Sequence, residues 1–197
     1  MVDENGGRCE ECAREIPQGS RSVLLSAAEG DPGRLLCLEC YNREMAAAID
    51  IEFENPTFPR VMLVDVNGNE HSFEFAVQLF GHQVSIEAFE HDVEHGYRLA
   101  ISGNPADVQK LFNRLLGRIR RALTRSHIDA TTFEGMPPML DEMVARGRFE
   151  WDDDSDGQLP LVVIDGKPYT WDQFGRMLSS YEGWQFHLEI KDPADEV

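Results

Sequence analysis

Two Cys-x-x-Cys pairs, Cys9/Cys12 and Cys37/Cys40, hold every cysteine of this 197-residue chain. They constrain the fold more than any hydrophobic pattern does, because two short turns separated by a 24-residue insert must bring their thiolates to one point if they act together. Zinc takes four such soft ligands in a tetrahedron, and a complete set of four protein ligands leaves no position for a reactive water. The pattern therefore predicts one structural Zn2+ held by Cys9, Cys12, Cys37 and Cys40, with no thiol left over as a nucleophile. A disulfide reading needs an oxidising compartment. The opening "MVDENGG" is acidic and no apolar run follows it, so no export signal is expected and the reducing cytoplasm is the expected location. No stretch is long and apolar enough to suggest a membrane span.

Within the insert, "SVLLS" and "RLLC" flank Gly30-Asp31-Pro32-Gly33, which predicts a two-stranded hairpin. "YNREMAAAI" after Cys40 is free of Gly and Pro and reads as a helix. The spacing C-x2-C-x24-C-x2-C, with a helix beginning at the second pair, resembles the treble-clef and zinc-ribbon four-cysteine fingers. "CEECAREIPQGSR" is similar to the first knuckle of such fingers, in which a small turn and a basic residue follow the pair. The resemblance covers residues 8–50. It implies a module folded around zinc, and modules of this type serve many unrelated functions.

Downstream, 42% hydrophobic residues and 11 Phe supply enough apolar surface for a packed core. "IEFENPTFPR", with Pro56 and Pro59, reads as a linker. "RVMLVDV" reads as a strand, closed by a tight turn at Asn67-Gly68. In "HSFEFAVQL", Phe73, Phe75, Val77 and Leu79 alternate with less apolar residues, the period of a half-buried strand. "QVSIEAFEHD" and "GYRLAIS" predict two more strands joined near Glu94–Gly96. Asn104 as cap and Pro105 at the first helical position begin a helix. Val108, Leu111, Phe112, Leu115, Leu116, Ile119 and Leu123 form its apolar face. "PMLDEMVARG" reads as a short helix. "LVVID" reads as a strand turned by Asp165-Gly166, and Thr170 with Gln173 forms a capping box opening a last helix that ends at Gly183. "WQFHLEI" reads as a final strand. The expected fold is α+β, in three parts: a four-cysteine module over 1–50, a strand-rich unit closed by a long helix over 51–128, and a small α+β unit over 129–197.

Three further patterns carry chemistry. "HDVEH" places His91, Glu94 and His95 in the H-x-x-E-H order of one group of zinc peptidases, a metal-dependent hydrolase reading that needs a helix under the two histidines. Alternating flanks and Gly96 predict a strand-to-strand turn instead, with solvated side chains. "DDDSDG" spaces Asp152, Asp154, Asp156 and Gly157 like the start of a calcium loop, but Val163 stands where the bidentate glutamate belongs. Lys110, Arg114, Arg118, Arg121 and Arg125 recur at helical spacing, a row that suits phosphates, as in a nucleic-acid-associated regulator, or an acidic protein surface. A formal charge of −18, from 36 acidic against 18 basic residues, opposes non-specific attraction to nucleic acid and predicts that the row pairs with the protein's own carboxylates. Trp151, Trp171, Trp184 and Tyr181 are expected in a core or an interface. With no Gly-rich phosphate loop and no G-x-S-x-G, the expected role is a non-catalytic interaction or adaptor function with another protein as partner.

Overall fold

The computed structural model describes residues 7–17, 20–26, 32–129 and 138–195. The opening six residues and the Gly30-Asp31 half of the predicted turn lie outside the described residues. The chain forms two compact units. One comprises Met1–Pro59, Phe75–Glu87 and Ala100–Leu115; the other comprises Arg60–Glu74, Ala88–Leu99 and Leu116–Val197.

Around the first cysteine pair, β1 (Gly7–Arg8) and β2 (Glu15–Ile16) form an antiparallel knuckle. β3 (Ser22–Leu25) then pairs antiparallel with β4 (Arg34–Cys37), placing Val23 opposite Leu36 and Ser22 opposite Cys37. α1 (Leu38–Ala48) starts where β4 ends, with Cys37 as its N-cap. Cys9, Ile16, Val23, Leu36, Cys40 and Tyr41 are buried in one cluster, against which Leu25, Leu35 and Met45 pack. Two of the four cysteines thus belong to the small core that holds this module together.

β5 (Val61–Val64), β6 (Glu70–Phe80), β7 (Gln83–Glu90) and β8 (Arg98–Gly103) make a four-stranded sheet in chain order. The period-two pattern places Phe73, Val77 and Leu79 of β6 and Val84, Ile86 and Ala88 of β7 in the interior. The hairpin between β5 and β6 is longer than the predicted two-residue turn: Val64 lies opposite Glu70, so residues 65–69 form the loop. The Asp65 carboxylate accepts from the N–H groups of Asn67 and Asn69 and from the Asn69 amide, and this side-chain network shapes the wider loop.

Asn104 accepts from the Ala106 N–H at the start of a 3-10 turn over Pro105–Asp107, which runs into α2 (Val108–Leu123). Leu111, Phe112, Leu115, Ile119 and Leu123 are buried, as the apolar stripe predicts. The 51–60 stretch is irregular, yet it does more than link. Phe58 stacks on Phe112 at 3.8 Å between centroids, and Phe75 meets Phe112 edge-on at 4.9 Å.

The helix expected over 138–147 does not form. β9 (Ile128–Asp129) instead pairs antiparallel with β10 (Met139–Leu140), and a 3-10 turn over Asp141–Met143 follows. Glu142 and Met143 hold φ of 50° and 58°, which no α-helix accommodates. A ten-residue helix is marginal on its own, and strand pairing with Ile128 prevails.

β11 (Gly147–Glu150), β12 (Leu161–Ile164) and β13 (Lys167–Tyr169) form an antiparallel sheet in that order. Asp165 and Gly166, at φ of 52° and 70°, make the two-residue turn that mates with strand twist. α3 (Trp171–Leu178) opens on the predicted capping box of Thr170 and Gln173. Its Met177 is buried with Ile128, Val162 and Ile164, and Leu140, Tyr169 and Phe174 pack on that cluster. The chain continues through a 3-10 turn, Ser179–Tyr181, to Gly183 at φ 84°.

The strand expected over 184–190 does not form either. Among the described residues it joins no ladder, and Trp184, Phe186, Leu188 and Ile190 stand in solvent. A strand needs a neighbour to take its backbone groups, and here none is beside it. Trp151, Trp171 and Trp184 are likewise exposed rather than core residues. The fold is α+β, built of helices and small antiparallel sheets. Among the described residues no helix is long and apolar enough to cross a membrane.

Candidate metal centre

The knuckle and the start of α1 bring the four cysteine sulfurs to one place. Their Sγ atoms all lie within 4.8 Å of one another, and none is in a disulfide. Cys12 Sγ is 3.9 Å from Cys37 Sγ. A zinc ion with Zn–S bonds of about 2.3 Å would space its sulfurs about 3.8 Å apart, close to the Cys12–Cys37 separation, and four thiols are a donor set suited to such an ion. Cys9 and Cys40 are buried, Cys37 is half-buried, and Cys12 faces solvent.

The chain folds tightly to reach this arrangement. Ala13, just after the first pair, takes a left-handed φ of 56° and donates its N–H to the Cys9 carbonyl at 2.8 Å, while the Cys9 N–H reaches the Arg14 carbonyl at 2.9 Å. Glu10 ties the knuckle to β4 twice: its N–H donates to the Leu35 carbonyl and its carboxylate accepts from the Leu35 N–H, both at 2.9 Å.

The thiols are pulled in opposite directions. Burial pushes Cys9 up, but backbone N–H groups at Cys12, Cys37 and Glu11 outweigh it and bring the thiol down to about 6. Burial pushes Cys40 well up, and the three neighbouring sulfurs add to that shift. Cys37 is also raised, again chiefly by burial. Four sulfurs this close cannot all be anionic without a cation among them, because like charges at contact range oppose ionisation. A divalent ion bound there would remove that conflict, with Cys9, Cys12, Cys37 and Cys40 holding it as thiolates.

The other predicted site residues do not converge in this way. Among the described residues, the four cysteines are the one group of three or more potential ligands close enough to share an ion. His91, Glu94 and His95 lie in the loop between β7 and β8, not on a helix. His91 sits 3.2 Å from Glu74 and 2.9 Å from Asp92, whereas His95 Nδ1 lies 2.6 Å from Glu150. In the acidic loop, Asp152 is buried and its carboxylate accepts from the Asp154 N–H, so it serves as a turn cap. Of the basic row, Lys110 pairs with Asp107 at 2.6 Å, and Arg118 donates to the Ala194 carbonyl at 2.9 Å.

Two features have no counterpart in the sequence patterns. Asn42 of α1 is fully buried. Its amide donates to the Val77 carbonyl at 2.8 Å and to Asn55 Oδ1 at 2.5 Å, and its oxygen accepts from the Leu79 N–H at 2.8 Å. β5 pairs with β6 only as far as Phe73, so Asn42 satisfies backbone groups further along β6 much as a neighbouring strand would. The second feature is a set of histidine–carboxylate pairs. His71 Nδ1 is 2.7 Å from Glu90 while its Nε2 is 3.5 Å from Asp65, and His127 Nδ1 is 2.9 Å from Asp165. The Tyr97 ring meets His71 edge-on at 5.3 Å, and its phenol is pushed well up by burial and by the nearby Asp165, Asp65 and Glu90. No short motif encodes such pairs, since the partners come from separate elements.

Residues 8–52 match a domain of unknown function (DUF7685), residues 54–124 a second (DUF7686) and residues 127–195 a third (DUF7713). No curated protein matches the chain. No solved structure matches it.

Proposed function

We propose that this chain is a zinc-binding, non-catalytic interaction or adaptor protein, with another protein as its partner. Cys9, Cys12, Cys37 and Cys40 hold one structural Zn2+ in a treble-clef type finger over residues 1–50, followed by the units over 51–128 and 129–197. The observation that carries this reading is the convergence of four cysteine sulfurs within 4.8 Å of one another. An all-thiolate set closes the coordination sphere, so the ion stabilises the fold and offers no open position for a substrate. A reducing cytoplasm suits four thiolates kept for metal.

Metal analysis of the intact chain tests the reading. One zinc per chain is expected, with loss of the ion in Cys12→Ser and Cys37→Ser and retention in His91→Ala. Structural zinc in small fingers contributes about 10–16 kcal/mol at neutral pH, so chelation should also strip amide protection from the knuckle, the β3–β4 hairpin and α1. A second ion that disappears in His91→Ala would instead support a hydrolase.

A further inference from the structure

Among the described residues, the sheet formed by β11, β12 and β13 has β11 and β13 as its edges, and no strand pairs with the outer side of β11. Val162 lies opposite both Phe149 on β11 and Tyr169 on β13, so these three side chains share the face that packs under α3. That apolar layer runs from Met177 and Val162 outward through Phe174 and Trp171 to Phe149, with ring centroids 6.1 Å and then 6.4 Å apart. It stops at β11, the edge strand, leaving Phe149 47% and Trp171 41% exposed. Open edges with an apolar face invite another strand.

The same chain carries a segment with the pattern of such a strand. Trp184, Phe186, Leu188 and Ile190 alternate with Gln185, His187 and Glu189, so an extended backbone places all four apolar side chains on one face. They are 64%, 90%, 65% and 73% exposed. Four large apolar residues standing in water at a spacing of two is an unusual use of surface, a longer run than the exposed Met62, Val64 and Val66.

We propose that residues 184–190 add as a fourth strand to the β11 edge of a second copy of this chain, each copy giving its segment to the other about a twofold axis. The apolar face of the incoming strand extends the layer that ends at Phe149 and Trp171, and its backbone satisfies the open side of β11. Buried area selects the second copy as occupant. At roughly 150 Å² apiece the four side chains offer about 600 Å², of which on the order of 400 Å² faces the receiving sheet. With an equal area on that sheet, one exchange buries about 800 Å², the level of a chance contact. The reciprocal pair buries about 1,600 Å², the size of a standard stable interface. A twofold axis supplies this doubling with no further residues. The inference is independent of the metal centre.

Mass measurement on the full, metal-loaded chain tests it, over a dilution series spanning about two decades around micromolar concentration. The wild type should reach twice its 22.3 kDa mass. The double substitution Phe186→Glu with Leu188→Glu should leave a monomer with unchanged circular dichroism and metal content, and Phe149→Glu should do the same from the receiving side. Mixing those two monomeric variants restores one of the two exchanges, so a weak heterodimer is expected at high concentration. Amides of 184–190 should be protected from hydrogen exchange in concentrated wild-type protein and exposed on dilution. A wild type that stays monomeric throughout the series overturns the proposal, as does a dimer indifferent to the tail substitutions. So does a dimer lost in the tail variant but intact in Phe149→Glu, and so does concentration-independent protection of 184–190, which means the segment docks on its own chain.

Discussion

Asp165 occupies a left-handed turn position, yet its carboxylate is a focal point for the preceding segment. It accepts from the His127 N–H at 2.6 Å, the Ile128 N–H at 3.1 Å and the Ser126 hydroxyl at 3.3 Å, and it faces His127 Nδ1 at 2.9 Å. Burial opposes its ionisation, but the His127 ring and these backbone N–H groups outweigh burial and hold the carboxyl below its ordinary value. The folded state therefore favours the ionised form more than the unfolded chain does. The resulting stability is complete above the unfolded value of about 3.9 and is lost as pH falls through the lower folded value. Asp165→Asn keeps the turn, since Asn tolerates the left-handed region, and removes the charge. It should cost about 1.5–3 kcal/mol at neutral pH, the worth of hydrogen bonds to a charged group. Urea unfolding of the two proteins against pH checks this: the gap should be fully present well above the unfolded carboxyl value and narrow only as pH falls through the lowered folded value.

At the scale of elements, α1 is fixed at two points by different chemistry. Cys37 is its N-cap, its first turn carries Cys40, and its middle carries Asn42, which bonds the β6 backbone at Val77 and Leu79. Arg21 adds a partly buried ion pair to Glu87 of β7. The cysteine module and this stretch of sheet accordingly fall in one compact unit. Asn42→Ala leaves a buried N–H and a buried carbonyl without partners, each worth about 1–3 kcal/mol. We expect a loss of about 2–4 kcal/mol, read as a lower urea midpoint at unchanged m-value, with zinc content unaltered because no ligand is touched. A loss below about 0.5 kcal/mol would mean that water replaces the amide at no cost.

For the molecule as a whole, the charge balance bears on which class of partner is expected. A formal charge of −18 repels phosphates at long range, and screening limits that repulsion to about 8 Å at physiological salt. A basic row acts against such a background only at contact, and part of this row is engaged already, through Lys110 with Asp107 and Arg118 with the Ala194 carbonyl. The expected outcome is no binding of duplex DNA or single-stranded RNA at physiological salt, measured by fluorescence anisotropy. An affinity that falls with salt at a slope of about 0.9 per phosphate, and flattens in Arg118→Glu with Arg121→Glu, would overturn the protein-partner reading.

The sequence by itself determined what local chemistry encodes. The cysteine pairs announce a four-sulfur site because ligand type and spacing are written in two short stretches. The alternation in β6, the cap at Asn104, the Asp165-Gly166 turn and the Thr170–Gln173 capping box are local in the same sense, and each formed where expected. Tertiary structure decided the rest. Residues 138–147 have helical composition, but Met139 and Leu140 pair with β9, since a short helix is weaker than a ladder and a hydrophobic neighbour at Ile128. Residues 184–190 have strand composition but no strand pairs with them among the described residues, and alternation specifies a face without supplying its partner. The pairs His71–Glu90, His127–Asp165 and Asn42–Val77 join residues 19, 38 and 35 positions apart. Such contacts have no period and no motif. They exist because the fold buries polar groups together, and buried polar groups must find one another.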